Sequence, residues 1–312
     1  MDQPLTPSTI GHTSMVWQLV RTMRPRQWIK NTFVFTALFF SEERLWTQLD
    51  QVLLTVAAFV VFCMAASSIY LINDLVDIEK DRAHPRKRNR PLASGLLSPL
   101  VAVVAAMVLI IGSFGAAYMI DPDGIFLLVV GSYVVIQGVL YSYWLKHVVI
   151  LDILVIAAGF VLRTIAGGVV LHITITPWLL VCMGLLAIFL GIGKRRHELV
   201  LLDNDAGEHR RILQEYSVPM LDQMISIVTA SIIMAYSMTT FSAPAVPRDP
   251  FPVLMLTIPF VIYGIFRYLY LIYQRHGGGS PEELVLKDVP LAGSIVLWGM
   301  TVLGLLFFFR PT

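Results

Sequence analysis

Long apolar runs alternate with short, densely charged connections along this chain, and the runs show neither a two-residue alternation nor a narrow helical stripe. A helix rising 1.5 Å per residue needs about 20 apolar residues to cross the roughly 30 Å of bilayer hydrocarbon. Read on that scale, the sequence predicts nine spans: 27–41, 51–72, 98–120, 124–142, 148–171, 177–193, 219–241, 250–273 and 289–309. The first is the shortest in apolar content, Phe33 to Phe40, and it can span only if Lys30 and Asn31 sit one turn inside the membrane and face protein. Ser98 followed by Pro99 marks the third span's start as an N-cap and a first helical residue. "SPEE" at 280–283 reads as a capping box opening a short amphipathic helix before the last span. The predicted fold class is all-α, a polytopic membrane helix bundle. Residues 1–20 are expected to form a disordered cytoplasmic tail, and 21–312 a single integral-membrane domain.

Composition agrees. Of 312 residues, 56% are hydrophobic and 14% charged, against about 25% charged in soluble domains. The first fifteen residues are polar, so no cleavable signal peptide is expected. Cys63 and Cys182 lie in apolar runs without metal-ligand spacing and read as small buried hydrophobes. The seven histidines are scattered, which argues against zinc; no Walker loop or G-x-S-x-G occurs, and no nucleic-acid partner is expected.

The net charge of +2 hides a strong asymmetry. Eighteen of the 23 Lys and Arg fall in the N-terminal segment and the even-numbered connections. By the positive-inside rule those segments are cytoplasmic and the C-terminus lies outside. A miscounted span would scramble this alternation.

The cytoplasmic stretch "YLINDLVDIEKDRAHPRKRNRPLASG" (70–95) carries more than topology. Asn73, Asp77 and Asp81 are spaced i, i+4, i+8, with Asp74 three before Asp77, so a helix continuing the second span would project all four to one side. Like charges on one face repel, and Mg²⁺, which binds a few carboxylates together with substrate phosphates, supplies a reason for them. Arg82, Lys87 and Arg90 then offer cations for phosphate oxygens. A merely topology-setting loop would account for the bases but not for the one-sided acids. In the second polar stretch, "GKRRHEL", Lys194, Arg195 and Arg196 precede Glu198, a mixture that suits a phosphorylated substrate with metal or, more blandly, ordinary positive-inside charge. Asp203 and Asp205 read as solvated. Within the membrane, Arg163 is expected to face a cavity or a partner. Asp152, eleven residues earlier, is about 16 Å away along the helix, too far to pair but able to line the same cleft at another depth. Arg267 can snorkel, and Tyr141 can bind a phosphate or anchor at the interface.

These residues resemble a known family. "NDLVDIEKDRAHPRKRNRPLASG" is similar to the first aspartate-rich motif, N-D-x-x-D-x-x-x-D, of the UbiA superfamily of intramembrane prenyltransferases, and "YSYWLKHVVILDILVIAAGFVLRTIAGG" resembles its central region. "RPRQWIKNTFVF", "GKRRHELVLLDNDAGEHRRILQEY" and "GGGSPEELVLKDVPL" look like the decaprenyl-phosphate phosphoribosyltransferase branch. Together these stretches cover nearly the whole chain. Aromatic prenyltransferases of the superfamily carry a second aspartate-rich motif where this chain has "GKRRHEL", with one acid.

The resemblance implies transfer of 5-phosphoribose from 5-phosphoribosyl 1-pyrophosphate to a polyprenyl (decaprenyl) phosphate, yielding a precursor of cell-wall arabinan donors. It further implies a multi-pass protein of the plasma membrane with its site facing the cytoplasm. Asp74, Asp77 and Asp81 would be catalytic, holding Mg²⁺ with Asn73. Lys30, Asn73, Arg82, Lys87, Arg90, Tyr141, Arg163, Lys194, Arg195 and Glu198 would bind substrate. A homo-oligomer stays open. The alternative within the family is an aromatic prenyltransferase using a prenyl diphosphate.

Overall fold

The computed structural model describes residues 14–85, 87–202, 211–247, 249–275, 279 and 281–309. Helix α1 (Met15–Met23) starts where the Ser14 side chain accepts from the Trp17 backbone N–H. It therefore begins inside the stretch expected to be a disordered tail. Gln18 and Thr22 turn inward while Met15, Val16 and Trp17 stay exposed, as on a helix lying at a membrane surface.

The first span is the main departure from an ordinary helix. After Arg24, in the left-handed conformation at φ 55°, the chain runs as a 3₁₀ helix, Pro25–Phe35, and finishes in one α-helical turn, α2 (Thr36–Phe39). A 3₁₀ helix rises about 2.0 Å per residue, so eleven residues cover roughly 22 Å. This segment runs antiparallel to α3 (Leu49–Val76). Arg24 reaches Asp74, Trp28 Nε1 donates to Ser67 Oγ at 3.1 Å, Asn31 Nδ2 reaches Cys63 Sγ at 3.2 Å, and the Phe35 and Phe59 rings lie 5.8 Å apart. From Asp74 back to Phe59 an α-helix also covers about 22 Å. The stretched helix thus lets this short segment keep pace with α3 over that length. Asn31 is buried against protein, as the sequence required, and Lys30 is half-buried.

The other eight predicted spans are apolar helices long enough to cross a membrane. Beyond α3 the chain forms a short α4 (Ile78–Ala83) and then α5 (Pro99–Ile120), whose N-cap is Ser98 and whose first residue is proline. The next span, Ile125–Tyr143, joins α6 (Ile125–Tyr133) through a π-helical stretch, Val134–Leu140, to α7 (Tyr141–Tyr143). There follow α8 (Leu151–Val170), α9 (Pro177–Leu202), α10 (Val218–Ser242), α11 (Ile258–Gln274, after a 3₁₀ turn Val253–Thr257), the short α12 (Pro281–Lys287) and α13 (Val289–Phe308). The proposed Ser280 cap of α12 lies outside the described residues.

Within their apolar stretches α3 and α8 are 56% and 61% buried and the six other membrane-length helices at most 33%, so these two form the centre. The N-terminal half packs the first span, α3, α6 and α8 around Phe62, Phe126 and Tyr133. The C-terminal half packs α8 to α11 and the start of α13 around Phe189, Ile192 and Tyr268. Gly167 of α8 is a close-approach position: a Cβ there would overlap the Val34 carbonyl oxygen of the first span.

Candidate active site

Because the spans alternate in direction, the start of the first span, the end of α3, the start of α8 and the end of α9 meet at one end of the bundle. Most of the polar residues singled out in the sequence, Arg163 apart, lie there, and two clusters form among them.

The first is built on the end of α3. The helix breaks at Asp77 (φ −94°, ψ 10°) and resumes as α4, but Asp77 N–H still bonds to Asn73 O and Asp81 N–H to Asp77 O. The turn spacing therefore survives the break, and Asp74 and Asp81, seven residues apart, share a face. Both are 3% exposed. Arg90 Nη1 donates to Asp74 Oδ1 at 3.1 Å and to Asp81 Oδ2 at 2.7 Å, and Arg24 Nη2 donates to Asp74 Oδ1 at 2.5 Å. The Arg24 guanidinium also lies 4.8 Å from the Tyr70 ring centroid. These contacts hold Arg24 in a conformation that a non-glycine residue adopts only at a cost. The four expected metal residues are not gathered on one point. Asp77, half-buried, has Lys80 as its neighbour at 3.8 Å, and Asn73 is half-buried. Arg82 donates to Glu79 and to the Ala93 carbonyl, while Lys87 is exposed on the turn Lys87–Asn89.

The second cluster joins α8 and α9. The sixth span continues as helix to Leu202, so "GKRRHEL" is helical rather than a loop, and its arginines project to neighbours. Arg195 is 2% exposed; its Nε donates to Asp152 Oδ2 at 2.7 Å and its Nη1 to Glu198 Oε2 at 2.6 Å. Tyr216 donates to Asp152 Oδ1 at 2.8 Å and accepts the Ile150 backbone N–H at 2.7 Å. Burial pushes the Tyr216 phenol well above its ordinary range, and the Asp152 carboxylate pushes the same way, so the hydroxyl keeps its proton. Ile150, a β-branched residue at φ 70°, is a strained cap for α8, and the Tyr216 contact helps hold it there. Tyr141 is half-buried at the end of the fourth span. Lys194 is exposed one residue before Arg195. Asp203 and Asp205 lie outside the described residues.

Arg163 and Asp152 each have their own partners. Arg163, 7% exposed, donates to Asn31 Oδ1 at 2.7 Å, to the Gly159 carbonyl at 2.6 Å and to Tyr133 OH at 2.9 Å, and its guanidinium lies over the Tyr133 ring at 4.6 Å. It ties the first span to α6 and α8 instead of opening to a substrate. Arg267 pairs in two places with Asp288, at 3.0 and 2.8 Å, and Asp288 also caps α13 by accepting from Leu291 N–H. Those hydrogen bonds from Arg267 hold the Asp288 carboxyl below its usual range. Arg196 pairs with Asp222 at 2.6 Å beneath the Tyr273 ring.

Sequence reasoning missed two residues. Arg24 stood out only as one more topology-setting charge, and Tyr216 carried no signal at all. Pairing either one required the fold.

The structure is that of a helical membrane-type bundle with buried carboxylates paired to arginines at one end. Residues 32–284 match the UbiA prenyltransferase family, and the chain belongs to that family. It is 33% identical over 319 residues to a decaprenyl-phosphate phosphoribosyltransferase of Mycolicibacterium smegmatis, covering 99% of this chain and 98% of that one. It is 34% identical over 293 residues to one of Mycobacterium tuberculosis, covering 93% and 94%. Its fold matches a solved UbiA homolog from Archaeoglobus fulgidus bound to GPP and Mg²⁺, with a TM-score of 0.67, 17% identity, and 93% and 99% of the two chains covered.

Among the described residues no three acidic or thiol or imidazole side chains converge as a ready-made metal cage. Asp74 and Asp81 do converge closely enough to share one nitrogen, and both present hard carboxylate oxygens. One or two carboxylates completed by phosphate oxygens and water is how Mg²⁺ is commonly held. The pair fits such an ion.

Proposed function

We propose that this protein transfers 5-phosphoribose from 5-phosphoribosyl 1-pyrophosphate to a polyprenyl phosphate such as decaprenyl phosphate. The reading rests most on the coexistence, at one end of the bundle, of a buried acid–arginine cluster and a second helix end with three cations and one half-buried carboxylate, Glu198. The names of its relatives, a third identical over nearly the full chain, support it.

In this reading the first cluster receives the pyrophosphate. Mg²⁺ held by Asp74 and Asp81 would neutralise the leaving group, and Asp77 and Asn73 are near enough in the chain to assist it. Arg24 and Arg90 donate to pyrophosphate oxygens, with Arg82 and Lys87 at the rim. The bond from ribose C1 to the pyrophosphate oxygen breaks, its electron pair leaves with pyrophosphate, and a lipid phosphate oxygen bonds to C1. The acceptor is already an anion, so no side chain has to remove a proton. The protein's contribution is position and charge.

Arg195 is buried against Asp152, whereas Lys194 is exposed at the same end of α9 and is our candidate for the sugar 5-phosphate, with Lys30 and Tyr141 as further candidates. Lys194→Ala is expected to raise the donor dissociation constant roughly ten- to hundredfold, since a charge-assisted phosphate contact is worth about 1.5–3 kcal/mol. Lipid affinity should change much less. Titrating purified wild type and variant with 5-phosphoribosyl 1-pyrophosphate, and separately with polyprenyl phosphate, checks both points. No saturable binding by the wild type up to the millimolar range would discard this donor in favour of a prenyl diphosphate, the ligand class of the Archaeoglobus structure.

The site faces the cytoplasm of a plasma membrane in this reading, because the positive-rich connections lie at its end of the bundle. A cysteine placed at the exposed Asn89 should react with an impermeant maleimide only from the cytoplasmic side of sealed vesicles. Labelling from outside alone would invert the topology.

A further inference from the structure

Asp74 and Asp81 are buried, yet they are not waiting as bare anions. Arg90 Nη1 sits between them at 3.1 and 2.7 Å, and Arg24 holds Asp74 from another side. Two carboxylates therefore face two guanidiniums, and the cluster is already neutral. A divalent cation entering alone would have to push Arg90 out of hydrogen bonds with two buried partners. It would also leave a surplus of positive charge where solvent screens poorly. A pyrophosphate arriving with the metal removes both obstacles, because its oxygens accept the displaced guanidinium and its charge offsets the metal's.

We propose that Arg90 is a cation placeholder, which keeps divalent metal out of the Asp74–Asp81 pair until a pyrophosphate group arrives to take over its hydrogen bonds. Metal and pyrophosphate then bind together or not at all. This rests on the reading of the cluster as a pyrophosphate site and gives Arg90 a second role beyond gripping phosphate. Its exposure suits that role. The Arg90 side chain is about one-third exposed at 30%, against 4% for each carboxylate, so it can swing outward while the acids cannot. The swing also explains why a residue from the connection, and not from a span, neutralises the pair.

Equilibrium dialysis of the full chain in nanodiscs, with Mn²⁺ as the metal and inorganic pyrophosphate as the anion, tests this without any turnover. The wild type should retain Mn²⁺ at least about tenfold more tightly with pyrophosphate than without it, after correction for the soluble Mn²⁺–pyrophosphate complex. Arg90→Met, which keeps bulk but removes the charge, should raise affinity for Mn²⁺ alone by a similar factor and weaken the dependence on pyrophosphate. A double Asp74→Asn, Asp81→Asn variant should retain neither. Tight wild-type binding of Mn²⁺ alone overturns the proposal, as does metal retention by the double variant. The wild-type arm stands even if Arg90→Met does not fold. Neither probe contains ribose, so a protein that shows joint binding but transfers no phosphoribose would refute the proposed reaction and leave the placeholder standing. Phosphoribosyl transfer by a protein that binds metal alone would do the reverse.

Discussion

Asp81→Asn is expected to lower transfer by at least about a hundredfold while the protein still folds and inserts, a loss of the size seen when a preorganised electrostatic group is removed. The amide keeps the shape of the side chain, so packing at this 3%-exposed position is preserved. What disappears is one of the two charges that face Arg90. In the proposed reaction a single carboxylate would hold a divalent ion less firmly against the leaving pyrophosphate. Asp74→Asn should behave alike. Asp77→Asn should also lose activity if its half-buried carboxylate turns toward the same ion. The measurement is product formation from radiolabelled 5-phosphoribosyl 1-pyrophosphate in membranes, across a Mg²⁺ titration. Near-normal rates for Asp81→Asn at any Mg²⁺ concentration would remove this pair from the chemistry.

The second large effect is on stability. Asp152→Ala should destabilise the protein by about 3–5 kcal/mol, since it strips a buried arginine of its fully buried counter-charge and leaves only the partly exposed Glu198. Asp152 is fully buried at 0% and Arg195 nearly so at 2%, so water cannot replace the lost partner. The same change releases the Tyr216 hydroxyl and with it the contact that holds strained Ile150 at the start of α8. A useful contrast is Glu283→Ala, whose exposed pairing with Lys287 should matter by less than about 1 kcal/mol. Thermal unfolding in one detergent compares the two directly. Equal midpoints would show that the Asp152–Arg195 pair carries no such weight. Asp152→Asn should fall between, because an amide retains hydrogen bonds but not charge.

Both expectations depend on a distinction that the sequence drew only in part. The first acid cluster was legible because its spacing repeats at helical turns, and burying several carboxylates on one face has few purely structural explanations. Arg195 looked the same as Lys194 in the sequence, as two cations in one charged stretch. The fold separates them: one is sealed against Asp152 and the other stays at the surface. Arg163 was legible as a residue that must face a partner, but the partner proved to be Asn31 of the first span rather than a cleft shared with Asp152.

The sequence by itself determined the bundle, the eight apolar helices of membrane-spanning length and the end at which most of the polar residues collect. Bilayer thickness turns apolar length directly into spans, and charge alternation counts them. Tertiary structure decided the form of the first predicted span. Its apolar run is too short for an α-helix, and only contact with α3 and α8, including the bare backbone of Gly167, lets it stretch into a 3₁₀ helix. Tertiary structure also decided which charges are spent on each other. Pairing between residues 50 or more positions apart, as in Arg24 with Asp74 or Tyr216 with Asp152, has no local signature, because it depends on which helix ends are brought together.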